Sequence, residues 1–165
     1  MALTKLNNQS LSAVTSAGLP SGTVLQVKFL SFEDLLTRTG TSYADISGFS
    51  LSITPSSASN KILVTVQTCQ AMAGSTTLLY RLLRGTTVLS ENPNIGSADS
   101  FINHYSDDSG FYHSVRPFLD SPATTSAITY KLQYRVDGGT GYVNRHSGGT
   151  NYGGTSSMTL MEIAG

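Results

Sequence analysis

Ile128-Thr129-Tyr130-Lys131-Leu132-Gln133-Tyr134-Arg135-Val136 decides the fold class. Ile128, Tyr130, Leu132, Tyr134 and Val136 fall on one side of an extended chain, and Thr129, Lys131, Gln133 and Arg135 on the other. A side-chain period of two describes a strand with one buried face and one wet face. A strand inside a parallel sheet is apolar on both faces, so this one belongs to an antiparallel sheet. The preceding run, Phe118-Leu119-Asp120-Ser121-Pro122-Ala123-Thr124-Thr125-Ser126, supplies a lead-in turn built on Pro122 and small hydroxyl residues.

Outward from that strand the chain reads as more of the same. Thr23–Phe32, Lys61–Ala71, Phe111–Leu119, Ala127–Val136, Gly141–Arg145 and Ser156–Ile163 are predicted strands, with Lys61–Ala71 central. Leu78–Leu83 and Thr86–Ser90 flank Arg84-Gly85, a hairpin signal. Tyr43–Ile46 and Phe49–Ile53 flank Ser47-Gly48, which reads as a tight turn. Glu91–Ser109 reads as a polar surface excursion. Eight to ten short strands with Gly and Pro turns and no helix predict an all-β fold, an antiparallel β-sandwich or jelly roll. Residues 1–21 differ: they are polar, with isolated Leu3, Leu6, Leu11 and Val14. They are expected to form an extended N-terminal anchoring arm ahead of a jelly-roll-like β domain over 22–165. The arm cannot bury those four side chains alone, so another chain is the expected partner for them.

Composition narrows function mostly by exclusion. Charged residues make up 12% of 165, the formal net charge is zero, and the pI is near 6.8. Without a basic excess, no nucleic-acid partner is expected. No stretch is apolar enough to span a membrane as a helix, and the start lacks the apolar core of a signal peptide. Cys69 is the single cysteine, which rules out an intrachain disulfide and a multi-cysteine metal site; a buried strand thiol is expected. His104, Asp107, Asp108 and His113 are the only titratable cluster, and their spacing matches no metal-ligand pattern. They read as polar loop residues. Asp137-Gly138-Gly139-Thr140-Gly141 lacks the Lys-Ser/Thr ending of a phosphate loop and reads as a hairpin turn; Gly148–Gly154 reads as flexible loop. The expectation is no catalytic residue, no metal and no cofactor. Tyr105, Tyr112, Tyr142 and Tyr152 lie in or beside loops. They either form a carbohydrate- or protein-binding surface or cap the ends of the β structure.

Several segments together resemble a known family. Leu19-Pro20-Ser21-Gly22-Thr23-Val24-Leu25-Gln26-Val27 and Ser42 through Pro55 resemble the opening of many tailed-bacteriophage fibre and virion-surface domains. Ser59 through Val64, Tyr80 through Gly85, Phe118 through Ser126, Tyr142-Val143-Asn144-Arg145 and the ending Ser157 through Ala164 are similar in the same way. The likeness runs from about residue 19 to the end, with phage of aquatic bacteria prominent among the relatives it suggests. It implies a non-enzymatic jelly-roll module, made in the host cytoplasm and assembled as a homotrimer on the virion surface. It carries over no catalytic residue. A domain behind only a short arm points to a capsid cement or decoration protein that binds the major capsid protein and stabilises the shell. The alternative is a tail-fibre tip whose Tyr- and Gly-rich loops touch a host-surface glycan. A small glycan hydrolase is a distant third.

Overall fold

The structure is a computed structural model that describes residues 19–89, 100–106 and 110–165. Those residues form two antiparallel sheets and a short extra hairpin, and none of them is helical. In the first sheet the longest strand, β4 (Lys61–Ala73), lies in the middle. Its sequence explains the position: Ile62, Val64 and Val66 are fully buried, while Leu63, Thr65 and Gln67 between them stay half-exposed. One edge of β4 pairs along Ile62–Ala71 with β8 (Phe111–Asp120). The other edge is shared by β13 (Ser156–Ile163) and β10 (Thr140–Val143). Beyond these, β1 (Val24–Phe32) flanks β13 and β2 (Leu36–Arg38) flanks β10.

The second sheet runs β3 (Ala44–Ile53), β9 (Ile128–Val136), β5 (Thr76–Arg84), with the far edge of β5 shared by β6 (Thr87–Val88) and β7 (Ile102–Ser106). The strand that decided the fold class is β9, held between β3 and β5. Tyr130, Leu132 and Val136 have no exposed surface, Tyr134 is nearly buried, and Ile128 packs against the core. Thr129 is exposed, and Lys131 and Gln133 are half-exposed on the other side. Arg135 departs from the simple alternation. It is buried on the outer side because Tyr43 covers it, 5.3 Å from guanidinium carbon to ring centre, and Asp137 sits 3.4 Å away.

The two sheets close on one core. Phe32 and Phe49 stack with centroids 4.8 Å apart. Tyr130 donates to Asp120 Oδ2 at 2.6 Å, and Arg84 grips both oxygens of the same carboxylate at 2.7 and 2.8 Å. A buried phenol and a nearly buried carboxylate are thereby satisfied together.

Four readings are corrected. Ser47-Gly48 is no hairpin turn: β3 is one strand whose register to β9 jumps between Asp45 and Ser50. Gly48, at φ +80, carries this bulge, which lets Ile46 and Phe49 both reach the core. The segment 91–109 contains a strand, β7, because Ile102 and Ser106 pair inward beside Tyr80 and Thr76. Gly148–Gly154 is a hairpin arm, not plain loop: β11 (Arg145–His146) pairs with β12 (Gly149–Gly153). Finally, β2 adds a strand that the short Leu36-Thr37-Arg38 run did not signal.

Candidate interaction surface

The register of the first sheet fixes what its outer face presents. Side chains of directly paired residues share a face. Since Ile62, Val64 and Val66 point into the core, Leu63, Thr65 and Gln67 point outward. Following the pairing across four strands gives rows. One row is Val27, Met161, Leu63, Leu119. The next is Phe29, Thr159, Thr65, Pro117. A third is Ser31, Ser157, Gln67, Val115, and the row at the opposite end is Val24, Ile163, Lys61. Among the described residues, Lys61 is the only charged side chain on this half of the face. Val24, Val27, Phe29, Val115 and Leu119 are 49–64% exposed, and they make up five of the eight large hydrophobics exposed among the described residues.

The other half of the same face is roofed. Continuing along β4, Cys69 and Ala71 also point outward, yet both are fully buried. The β11–β12 hairpin and its exit cover them. A Cβ placed on Gly154 would stand 2.4 Å from Cys69 Sγ and 3.4 Å from Phe111, so only a glycine lets the chain lie this close. Asn144 pins the roof. It is fully buried in the left-handed region at φ 59. Its Nδ2 donates to the carbonyls of Phe32 at 2.8 Å and Asp34 at 3.1 Å. Its Oδ1 accepts from Ser156 Oγ at 2.7 Å, and its backbone N–H donates to Cys69 O at 2.9 Å. Gly154 N–H in turn donates to Asn144 O at 3.2 Å. Nothing in the sequence beyond a position within Tyr142–Arg145 singled out Asn144.

Cys69 does have a neighbour, which its sequence context did not reveal: His113 Nε2 lies 3.6 Å from Sγ. Burial pushes the thiol up to about 11, so it stays protonated at neutral pH. A thiol nucleophile needs the opposite shift. Cys69 packs under the roof, with the exposed His113 at its margin. At the far end of the sheet, Glu162 is buried without a cation. Burial alone would raise its carboxyl, but hydrogen bonds from Asn60 (2.6 Å), Gln26 (2.6 Å) and the Ser56 amide (2.7 Å) and hydroxyl (2.8 Å) outweigh that and hold it below the ordinary carboxylate range. The carboxylate ties the 55–60 loop to β13.

The sequence-derived candidates are distributed rather than convergent. Tyr142 and Tyr152 belong to the roofed region: Arg145 sits 5.0 Å over the Tyr142 ring, and Tyr152, 73% exposed, meets His146 edge-on at 6.2 Å. Tyr112 turns between the sheets and packs against His104 at 4.0 Å. Tyr105 is exposed on the outer side of the second sheet. Leu3, Leu6, Leu11, Val14, Asp107 and Asp108 lie outside the described residues. No group of three or more His, Cys, Asp or Glu among the described residues is placed to hold a metal ion. The described residues include no helix long and apolar enough to cross a membrane.

No protein-family model matches the chain, and no curated protein does. Among solved structures it is similar to a chain in a structure of infectious bursal disease virus, Gx strain. The identity is 14% and the TM-score 0.41; the match covers 88% of this chain but only 39% of that one.

Proposed function

We propose that this chain is a non-enzymatic structural protein of a phage virion, a trimeric cement or decoration protein on the capsid surface that stabilises the shell. The half-bare outer face of the first sheet carries this reading. A largely apolar patch with a single charge, Lys61, between two edge strands suits burial against another protein subunit. The motif resemblance from residue 19 onward supports a virion-surface setting. Closure into a homotrimer would cover apolar surface and strand edges that a domain of this size leaves over. The major capsid protein is the second partner, and the arm with Leu3, Leu6, Leu11 and Val14 is an anchor to another chain, a sister subunit or the shell.

Cement acts by linkage. A protein that binds the assembled shell but not free subunits stabilises the assembled state by mass action. Particles lacking this protein should assemble normally and rupture at lower temperature or internal pressure, with hundreds of copies per intact particle. A tail-fibre tip is the second reading, favoured by the exposure of Tyr105 and Tyr152 at 62% and 73%. Exposed aromatics of this kind can stack on a sugar ring. Particles of normal stability that fail to adsorb to host cells, with a few tens of copies or fewer, would replace the cement reading by that one. Hydrolysis of host glycans, lost on Asp107→Asn or Asp108→Asn, would defeat both.

A further inference from the structure

We infer that the bare half of the first sheet's outer face is the seat of residues 1–18 of a second copy of this chain. The inference rests on the oligomeric part of the proposed function and names the surface through which the arm acts. Size is the first consideration. The face spans four strands at about 4.8 Å spacing and some seven residues at about 3.3 Å rise, roughly 300–400 Å². A specific interface between folded domains takes about 800 Å² from each partner. The face is therefore about half of what a docked domain needs, and ample for one extended segment. Residues 1–18 reach about 60 Å when extended, between two and three times the length of the face.

Chemistry points the same way. The face carries Val27, Phe29, Leu63, Leu119 and Met161 with hydroxyls between them, and Lys61 is its only charge. The segment 1–18 carries Leu3, Leu6, Leu11 and Val14 among Ser, Thr, Asn and Gln, and Lys5 is its only charged side chain. Each carries a single lysine, so charge does not draw the two together; what they share is apolar groups that neither can bury alone. The edge strands β1 and β8 on either side of the face offer backbone pairing to an extended chain. The roofed half shows the same solution within the chain: a short, polar, glycine-containing segment laid over Cys69 of β4 and against the edge of β8.

The starting point of the described chain favours a neighbour over a fold-back. Leu19 borders a recess formed with Ser56, Ser59, Asn60 and Gly165. Ser56 and Asn60 reach Glu162, which pairs with the inward-facing Ile62. Leu19 thus lies at the sheet's end beside groups on its core side, and Gly22 and Thr23 continue the β1–β13 ladder from there.

The test uses the full chain with a photoreactive phenylalanine analogue in place of Leu11, mixed with an isotope-labelled copy. Irradiation should cross-link labelled to unlabelled chains, at peptides containing Leu63, Leu119 or Met161. Leu119→Asp, at a position 53% exposed and so compatible with folding, should cut that yield at least about tenfold while the melting curve of the dissociated subunit stays unchanged. Cross-links confined to single chains, cross-links to other surfaces, or none at all would overturn the inference. A trimer by light scattering without these cross-links would overturn it while leaving the cement reading in place. The particle-rupture experiment reads the cement role on its own.

Discussion

The outer face of the first sheet is built twice from the same strands. Toward Cys69 and Ala71 the chain lays its own hairpin over β4, and those two outward side chains are fully buried, while their β8 partners Phe111 and His113 are half-exposed and exposed. Toward Leu63 and Leu119 no described segment crosses, and Val27, Phe29, Val115 and Leu119 are all more than half exposed. The strands do not differ in kind; the roof does. It depends on a left-handed asparagine and a glycine, and among the described residues no such device serves the bare half. Among the described residues, one half of the face has a cover supplied by the chain itself and the other half has none.

The comparison breaks most readily at Asn144. Asn144→Ala removes two donated bonds and one accepted bond in a site with no exposed surface. Each stranded buried group costs about 1–3 kcal/mol, so a loss of at least about 3 kcal/mol is expected from chemical denaturation. A loss below about 1 kcal/mol would mean that Asn144 does not hold the roof. Gly154→Ala comes next. Its Cβ would meet Cys69 Sγ, and overpacking of this kind costs about 1–3 kcal/mol. It should also lift the roof, so Cys69 should react faster with a thiol reagent at neutral pH. In the unaltered chain that reaction should stay slow until the pH approaches about 11. Unchanged labelling in Gly154→Ala would show that the hairpin does not shield the thiol.

Glu162 sharpens the contrast through pH. Its carboxyl is held lower in the folded chain than in the unfolded one, so its contribution is present above about pH 4.5 and is lost as pH falls through the lower folded value. An acid titration of melting temperature should therefore be flatter below pH 4.5 for Glu162→Gln than for the unaltered chain. Parallel acid limbs would remove the 55–60 loop from the account. The smallest stability effects belong to the bare half. Phe29→Ser and Leu119→Ser should each change the stability of the dissociated subunit by no more than about 0.5 kcal/mol, because both side chains are already exposed. Both should weaken association. A large loss of subunit stability would place these side chains inside the chain's own packing.

Much of this was legible before the fold was known, and the residues show why. The alternation over Ile128–Val136 is a direct image of a half-buried strand, and β9 follows it apart from Arg135, which is buried by Tyr43, far away in sequence. Lys61–Ala71 likewise announced a central strand. Ser47-Gly48 misled because a turn glycine and a bulge glycine carry the same letter and the same positive φ. The bare face was hidden for a different reason: Leu63, Leu119 and Met161 come from three separated strands, and only their register brings them into one row. The roof was hidden too, since Asn144, Gly154 and Cys69 are linked by contacts that no local pattern encodes. The four tyrosines were visible one by one, but their dispersal over three surfaces is a matter of topology.

Hydroxyl-radical footprinting of the intact chain at assembling concentration tests the central claim most directly, with the exposed Tyr152 as internal reference. If the bare half is covered by another chain, Phe29 and Met161 should be modified many times more slowly than Tyr152, and dilution to the dissociated subunit should release them while the roofed Cys69 stays protected. If Phe29 is modified as fast as Tyr152 at every concentration, the face is simply solvated, and the account of it as an interface is wrong.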